Sequence, residues 1–129
     1  MRAFTTTEIG RFGEDVAAKH LKKQGFRILE RNFRASHNEI DIIAENKDTL
    51  VFVEVKTRHN SDFASPIEAV TPAKQRRTIA AARAYLYKSR SEKAVRFDVI
   101  EVYLERAPRF SAKALTVKSL EHIVDAFGA

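Results

Sequence analysis

Asn38-Glu39-Ile40-Asp41-Ile42-Ile43-Ala44 and Thr49-Leu50-Val51-Phe52-Val53-Glu54-Val55-Lys56-Thr57 are rich in β-branched and aromatic residues, and the polar stretch Glu45-Asn46-Lys47-Asp48 separates them. The pattern reads as a β-hairpin. A two- or four-residue loop centres the turn between Lys47 and Asp48, which places Asp41 across from Glu54, Ile43 from Phe52 and Glu39 from Lys56. All six then share one side of the sheet, because alternate strand residues share a face. Directly opposed Cβ atoms stand roughly 5 Å apart and like charges there repel, so a cation is expected between Asp41 and Glu54. Val51, Val53 and Val55 take the other face while Leu50 and Phe52 precede Glu54 on the first, so the second strand is expected to be buried on both sides. A carboxylate in such a strand is costly unless it is paired or binds a metal. Two carboxylates and an ammonium brought together are the raw material of a metal-dependent phosphodiesterase. The competing reading is an edge strand whose Glu54 and Lys56 are simply solvated. A register slip of one residue would also turn Asp41 to the wrong face.

At 129 residues the chain fits a single domain, 1–129, with one core. It contains no cysteine, which excludes disulfides and thiolate metal sites. No secretory leader, long apolar span, internal repeat or low-complexity segment is apparent, so a cytoplasmic protein with no membrane partner is expected. There is no phosphate-cradling glycine loop, and no small-molecule cofactor is expected.

Charge is more informative divided than summed. Residues 71–96 carry +7, residues 19–34 carry +5 and residues 39–68 carry −4. An acidic centre between basic flanks suits a site that holds a divalent cation and accepts a polyanion around it. Solvated helix faces would give similar runs.

The first element is predicted as a helix from Thr6 to Gln24, with Thr5 and Glu8 at capping-box spacing and Gly25 as its stop. Ile9, Phe12, Val16 and Leu21 form its apolar face, and Glu14 falls about 20° from Leu21 on the helical wheel. Phe26 to Phe33 reads as a strand leading into the hairpin. His59 to Ser65 is a polar connection, followed by Pro66 to Val70. Thr71-Pro72 then opens a helix to about Lys88 with Ile79, Ala82 and Leu86 inward. Near its start, Lys74 and Gln75 are candidates for a phosphate, with Arg76, Arg77 and Arg83 adding positive charge. Val95 to Leu104 reads as a strand and Leu115 to Lys118 as a short one. Ser119 is predicted to cap a terminal helix with Leu120, Ile123, Val124 and Phe127 inward. This order gives an α/β chain of α+β character, with a mixed central sheet containing an antiparallel hairpin and flanked by helices.

Gly13-Glu14, Asn32-Phe33-Arg34, Glu39-Ile40-Asp41-Ile42-Ile43-Ala44, Phe52-Val53-Glu54-Val55-Lys56-Thr57-Arg58 and Arg96-Phe97-Asp98-Val99-Ile100, with Lys74 after the proline, form an ordered set. The set resembles the bacterial YraN family, related to Holliday-junction resolvases and to the PD-(D/E)xK nuclease superfamily. The resemblance runs over nearly all the chain and implies a restriction-endonuclease-like, resolvase-like fold. It matches Asp41 to the first motif's aspartate, Glu54 to the variable acid, Lys56 to the lysine and Glu14 to the glutamate on the N-terminal helix of archaeal resolvases. One departure is Asn38, where the family is expected to carry glycine before Glu-Ile-Asp. Asparagine tolerates positive φ better than most residues, so the turn can survive the change.

These readings converge on a Mg²⁺- or Mn²⁺-dependent endonuclease acting on branched or structured DNA. Asp41 and Glu54 are the expected metal ligands, with Glu14 and Glu39 as further candidates. A lysine ammonium suits charge stabilisation better than proton removal, which sets the expected role of Lys56. Lys74, Gln75, Arg76, Arg77, Arg58 and Arg34 are the candidate contacts to nucleic acid, and a homodimer is an admissible assembly. The rival reading is a nucleic-acid-binding protein that retains the nuclease fold, cuts nothing and acts with a repair or recombination partner. A third is an interaction scaffold without nucleic acid. The four histidines show no metal-ligand spacing, and His20 falls on the buried helix face as a satisfied core residue. Of Tyr85 and Tyr87, candidates for stacking on bases, one is expected in the core.

Overall fold

The computed structural model describes residues 4–58, 70–106 and 115–128. They form α1 (Thr6–Lys23), β1 (Arg27–Ala35), β2 (Asn38–Glu45), β3 (Thr49–Arg58), α2 (Pro72–Ser89), β4 (Ala94–Arg106) and β5 (Leu115–Phe127). The strands lie in one sheet in chain order. Neighbours are antiparallel except β3 and β4, which run parallel with α2 between them in sequence. This is the predicted mixed sheet with an antiparallel hairpin. The predicted polar connection from His59 falls outside the described residues, as does most of the stretch from Pro66 to Val70.

Local chemistry sets the hairpin register. Asn46 donates its backbone N–H to the Thr49 carbonyl at 3.0 Å, and its side-chain oxygen accepts the Asp48 and Thr49 N–H groups at 3.0 and 2.8 Å. The turn is therefore centred between Lys47 and Asp48, and the pairing runs Glu45–Leu50, Ala44–Val51, Ile43–Phe52 and Ile42–Val53. At the β1–β2 turn it is Ser36, with φ 59°, that takes the left-handed conformation, so Asn38 has no need of it.

Each sheet face is covered by a helix. Ala17, Ala18 and Leu21 of α1 pack with Ile42, Val51, Val53, Ile100 and Val102, while Ala81 and Ala82 of α2 pack with Ile43, Leu50, Phe52 and Phe97. Leu50 to Glu54 are buried, as a strand covered on both faces requires. Thr5 and Glu8 form the predicted capping box of α1, Gly25 ends it at φ 92°, and the Thr71 hydroxyl caps α2. Tyr85 lies edge-on to Phe33 and Phe52, whereas Tyr87 is 89% exposed.

The terminal helix predicted from Ser119 is instead the second part of β5. Leu120, Ile123, Val124 and Phe127 have helical spacing, but β4 offers a long row of unpaired backbone groups that a strand can satisfy. The apolar residues consequently divide between faces: Leu120 joins the α1 cluster and Phe127 the α2 cluster, stacked 5.2 Å from Phe97. A bulge between Phe97 and Val99 accommodates the extra length, with Asp125 at φ 55°. Asp98, fully buried beside it, accepts the Asp125 N–H at 3.0 Å, two Arg96 nitrogens at 2.9 Å each and His122 Nε2 at 2.7 Å. Burial pushes the Asp98 carboxyl up, but these bonds more than offset it and hold it below the usual range.

Gly13 sets the approach of α1 to β3. A Cβ there would overlap the Thr57 hydroxyl and stand 2.9 Å from Thr57 Cγ2. Gly13→Ala is expected to cost about 1–3 kcal/mol, as overpacking does. Urea titration would show a smaller loss for the same change in a Thr57→Ala background; equal losses in both would refute this account.

Candidate metal and nucleic-acid site

The paired part of the β2–β3 ladder ends at Ile42–Val53, and Asp41 and Glu54 are the next residues out. There the Asp41 carboxylate, rather than a backbone carbonyl, meets the opposite strand: Oδ2 accepts the Val55 N–H at 2.8 Å. Asp41 also sits where strand alternation breaks. Ile42 faces α1, yet Ile40 joins the α2 cluster, and Asn32 of β1, between the partners of those two residues, has φ 54°. Charged groups from both helices therefore act on Asp41, Glu14 from α1 and Lys74 from α2.

Asp41 and Glu54 feel each other strongly. Burial, then the Glu54 charge, push the Asp41 carboxyl up to about 7, with Glu14 adding to the rise and the Val55 N–H and Lys74 opposing it. Glu54 is only 5% exposed, and its carboxylate is ion-paired with Lys74 Nζ. The cation expected between the two acids is thus supplied beside Glu54 by α2.

The other predicted residues are placed differently. Lys56 lies beside Glu101 of β4. Glu101 is 3% exposed; burial and the Glu121 charge raise its carboxyl, with Arg58, Tyr103 and Lys56 opposing. The predicted Glu39–Lys56 pair lies beyond the paired part of the hairpin, and Glu39 faces Arg34 Nε at 3.9 Å. Glu14 is near enough to act on Asp41, but its ion-pair partner is Arg31, 3.5 Å away and also 2.8 Å from Asp15. The Gln75 side chain donates to the Val70 carbonyl at 2.9 Å, while Arg76 and Arg77 are exposed. Arg58 Nε and Nη2 are buried without a hydrogen-bond partner among the described residues. Arg34 lines a groove of about 600 Å³ with Arg11, Arg31, Glu14, Asp15 and Glu39.

Among the described residues, no three His, Cys, Asp or Glu side chains form a group able to hold a metal ion. The pair Asp41 and Glu54 fits a hard cation that keeps most of its water, since Mg²⁺ is commonly bound through one or two carboxylates. The mutual repulsion of the pair is what such an ion would relieve. No helix among the described residues is long and apolar enough to cross a membrane.

Residues 13–102, which include both strands of the hairpin and α2, match the model of "Uncharacterised protein family UPF0102". The chain belongs to this family. A UPF0102 protein of Chlorobium chlorochromatii is 50% identical over 123 residues, 95% of this chain and 93% of its own. UPF0102 protein TTE1452 of Caldanaerobacter subterraneus is 41% identical over 128 residues, 98% of this chain and 100% of its own. One of Clostridium perfringens is 52% identical over 95 residues, 73% and 78% of the two chains. The YraN resemblance read from the sequence is thus upheld for the UPF0102 family. Among solved structures, that of Pyrococcus furiosus SfsA in complex with Ca²⁺ is similar with a TM-score of 0.47 and 13% identity. The match covers 86% of this chain and 63% of SfsA.

Sequence reasoning missed two arrangements. It named Lys74 as a phosphate contact without placing it on Glu54, because their apposition depends on how α2 crosses the sheet. It also missed the chain from His20 Nε2 to His122 Nδ1, 3.0 Å, and on to Asp98, although it read His20 as a satisfied core residue. Burial and the His122 charge lower the His20 pKa. The available signal was Arg96-x-Asp98, two charges on one face of an apolar strand.

The raised Asp41 pKa has a sign that can be measured. The folded chain holds this proton more tightly than the unfolded one, whose value is near 3.8, so the stabilisation is full below that pH and is lost as pH rises through about 7. Asp41→Asn keeps an oxygen for the Val55 N–H and removes the charge. With chelator present, it is expected to raise the melting temperature at pH 8 by on the order of 5 °C, and to change it little at pH 4. An equal shift at both pH values would contradict the assignment.

Proposed function

We propose that the protein is a Mg²⁺- or Mn²⁺-dependent endonuclease that hydrolyses phosphodiester bonds in structured or branched DNA. The observation that carries this reading is the meeting of half-buried Asp41 and buried Glu54 where β2 and β3 part, two acids whose repulsion a divalent cation would relieve. Asp41 and Glu54 would hold the ion, and Val55 orients the Asp41 carboxylate through its N–H. The bound ion would supply Lewis-acid activation of water and neutralise charge at the scissile phosphate. Lys56 stabilises negative charge on the phosphate as an ammonium, kept on β3 beside the buried Glu101. Arg76 and Arg77 on α2, and Arg11 and Arg34 at the groove, offer contacts to the phosphate backbone on either side.

The test is nicking of linear, flap and four-way-junction DNA with Mg²⁺ or Mn²⁺. Cleavage is expected to need the metal and to fall about a hundredfold or more in Asp41→Ala and in Glu54→Ala. Undiminished cleavage in these variants would sink the site assignment.

A second reading, a non-cleaving nucleic-acid-binding protein that works with a repair or recombination partner, is favoured by the occupation of Glu54 by Lys74. It predicts binding that weakens with salt, with no metal dependence and no cleavage of any of these substrates.

A further inference from the structure

The Lys74–Glu54 ion pair is built, not incidental. Glu54 is nearly sealed from water on β3, while the Lys74 side chain is 43% exposed at the start of α2. Two bonds fix the backbone from which Lys74 reaches: its N–H donates to the Thr71 hydroxyl at 3.1 Å, and the neighbouring Gln75 amide donates to the Val70 carbonyl at 2.9 Å. The ammonium therefore approaches Glu54 from a rigid anchor through a flexible, solvent-bordered stem. Its charge also acts on Asp41. One monovalent cation thus serves two neighbouring carboxylates and leaves their repulsion partly uncompensated.

A divalent cation on the same two carboxylates would stand beside an ammonium of like charge. Both cannot keep close contact with Glu54, and the lysine, half-exposed on a long stem, is the one free to leave.

We propose that Lys74 is a resident counter-cation of the metal site, displaced from Glu54 when a divalent ion binds and then available to a phosphate of the nucleic acid. The proposal rests on the reading of Asp41 and Glu54 as metal ligands. It leaves Glu54 compensated without metal and spares the fold an unpaired buried carboxylate. It also couples the two ligands. A phosphate that draws Lys74 away leaves Glu54 to the metal, and by linkage the metal favours phosphate binding to the same extent.

Mn²⁺ titration followed by the spectroscopic signal of the free ion, at pH 8 and constant ionic strength, tests this on the full chain. Lys74→Met and Lys74→Gln are expected to bind Mn²⁺ about tenfold more tightly than the parent, and Lys74→Arg to bind like the parent. In a Glu54→Gln background, Lys74→Met should lose most of this gain. A short duplex should tighten Mn²⁺ binding in the parent more than in Lys74→Met. Mn²⁺ binding that is equal or weaker in both Lys74→Met and Lys74→Gln, while abolished by Asp41→Ala, would overturn the role of Lys74 and leave the metal site standing. Mn²⁺ binding that survives Asp41→Ala and Glu54→Ala unchanged, or is absent from parent and variants alike, would overturn the metal site and this proposal with it.

Discussion

β3 runs through the middle of the sheet with a helix over each face, and Leu50 to Glu54 are thereby sealed from water on both sides. Apolar residues pay no penalty there, but a buried carboxylate such as that of Glu54 is costly without a compensating charge. α2 supplies it: the crossover that joins β3 to β4 covers the second face and also carries Lys74 to Glu54. Packing and charge compensation are thus met by the same element.

The opposite end of the strands is organised by ordinary turn chemistry, with Asn46 tying Asp48 and Thr49. Regular pairing lasts from Glu45–Leu50 to Ile42–Val53 and then gives way. At that point a carboxylate takes a backbone N–H, the alternation of β2 breaks and groups from both helices converge on Asp41. Irregular backbone of this kind concentrates where function needs a side chain aimed off the sheet. A site placed in the regular part of the ladder would be closed by the helices. At the end of the ladder Asp41 stays within reach of solvent.

Charge is handled differently on the two faces. On the α1 side Asp98 collects bonds from Arg96, His122 and the Asp125 backbone, and these fasten β5 to β4 and, through His20, to α1. That carboxylate is over-satisfied and held ionised. Asp41 accepts the Val55 N–H, and burial and the Glu54 charge raise its carboxyl to about 7. The contrast is between a carboxylate tied into the fold by hydrogen bonds and one raised by burial and a neighbouring like charge.

Sequence alone determined the elements whose signals are local: the capping box and Gly25 stop of α1, the Thr71-Pro72 start of α2, the Asn46 turn and, through it, the register that carries Asp41 toward Glu54. A turn fixes register because strand residues advance in strict alternation, so one correct pair implies the rest. It also determined the family, since the motifs keep their order over most of the chain. Tertiary structure decided what depends on neighbours remote in sequence. The apolar spacing of Leu120 to Phe127 is compatible with a helix in isolation, and the open edge of β4 made it a strand. Lys56 came to lie beside Glu101 in the register because β4 runs alongside β3, whereas the hairpin ladder stops before it reaches Glu39. Lys74 met Glu54 because α2 crosses that face of the sheet. Local preferences amount to a few tenths of a kcal/mol to about 1 kcal/mol per residue, whereas an unpaired strand edge or a buried charge costs more, so the long-range partner wins.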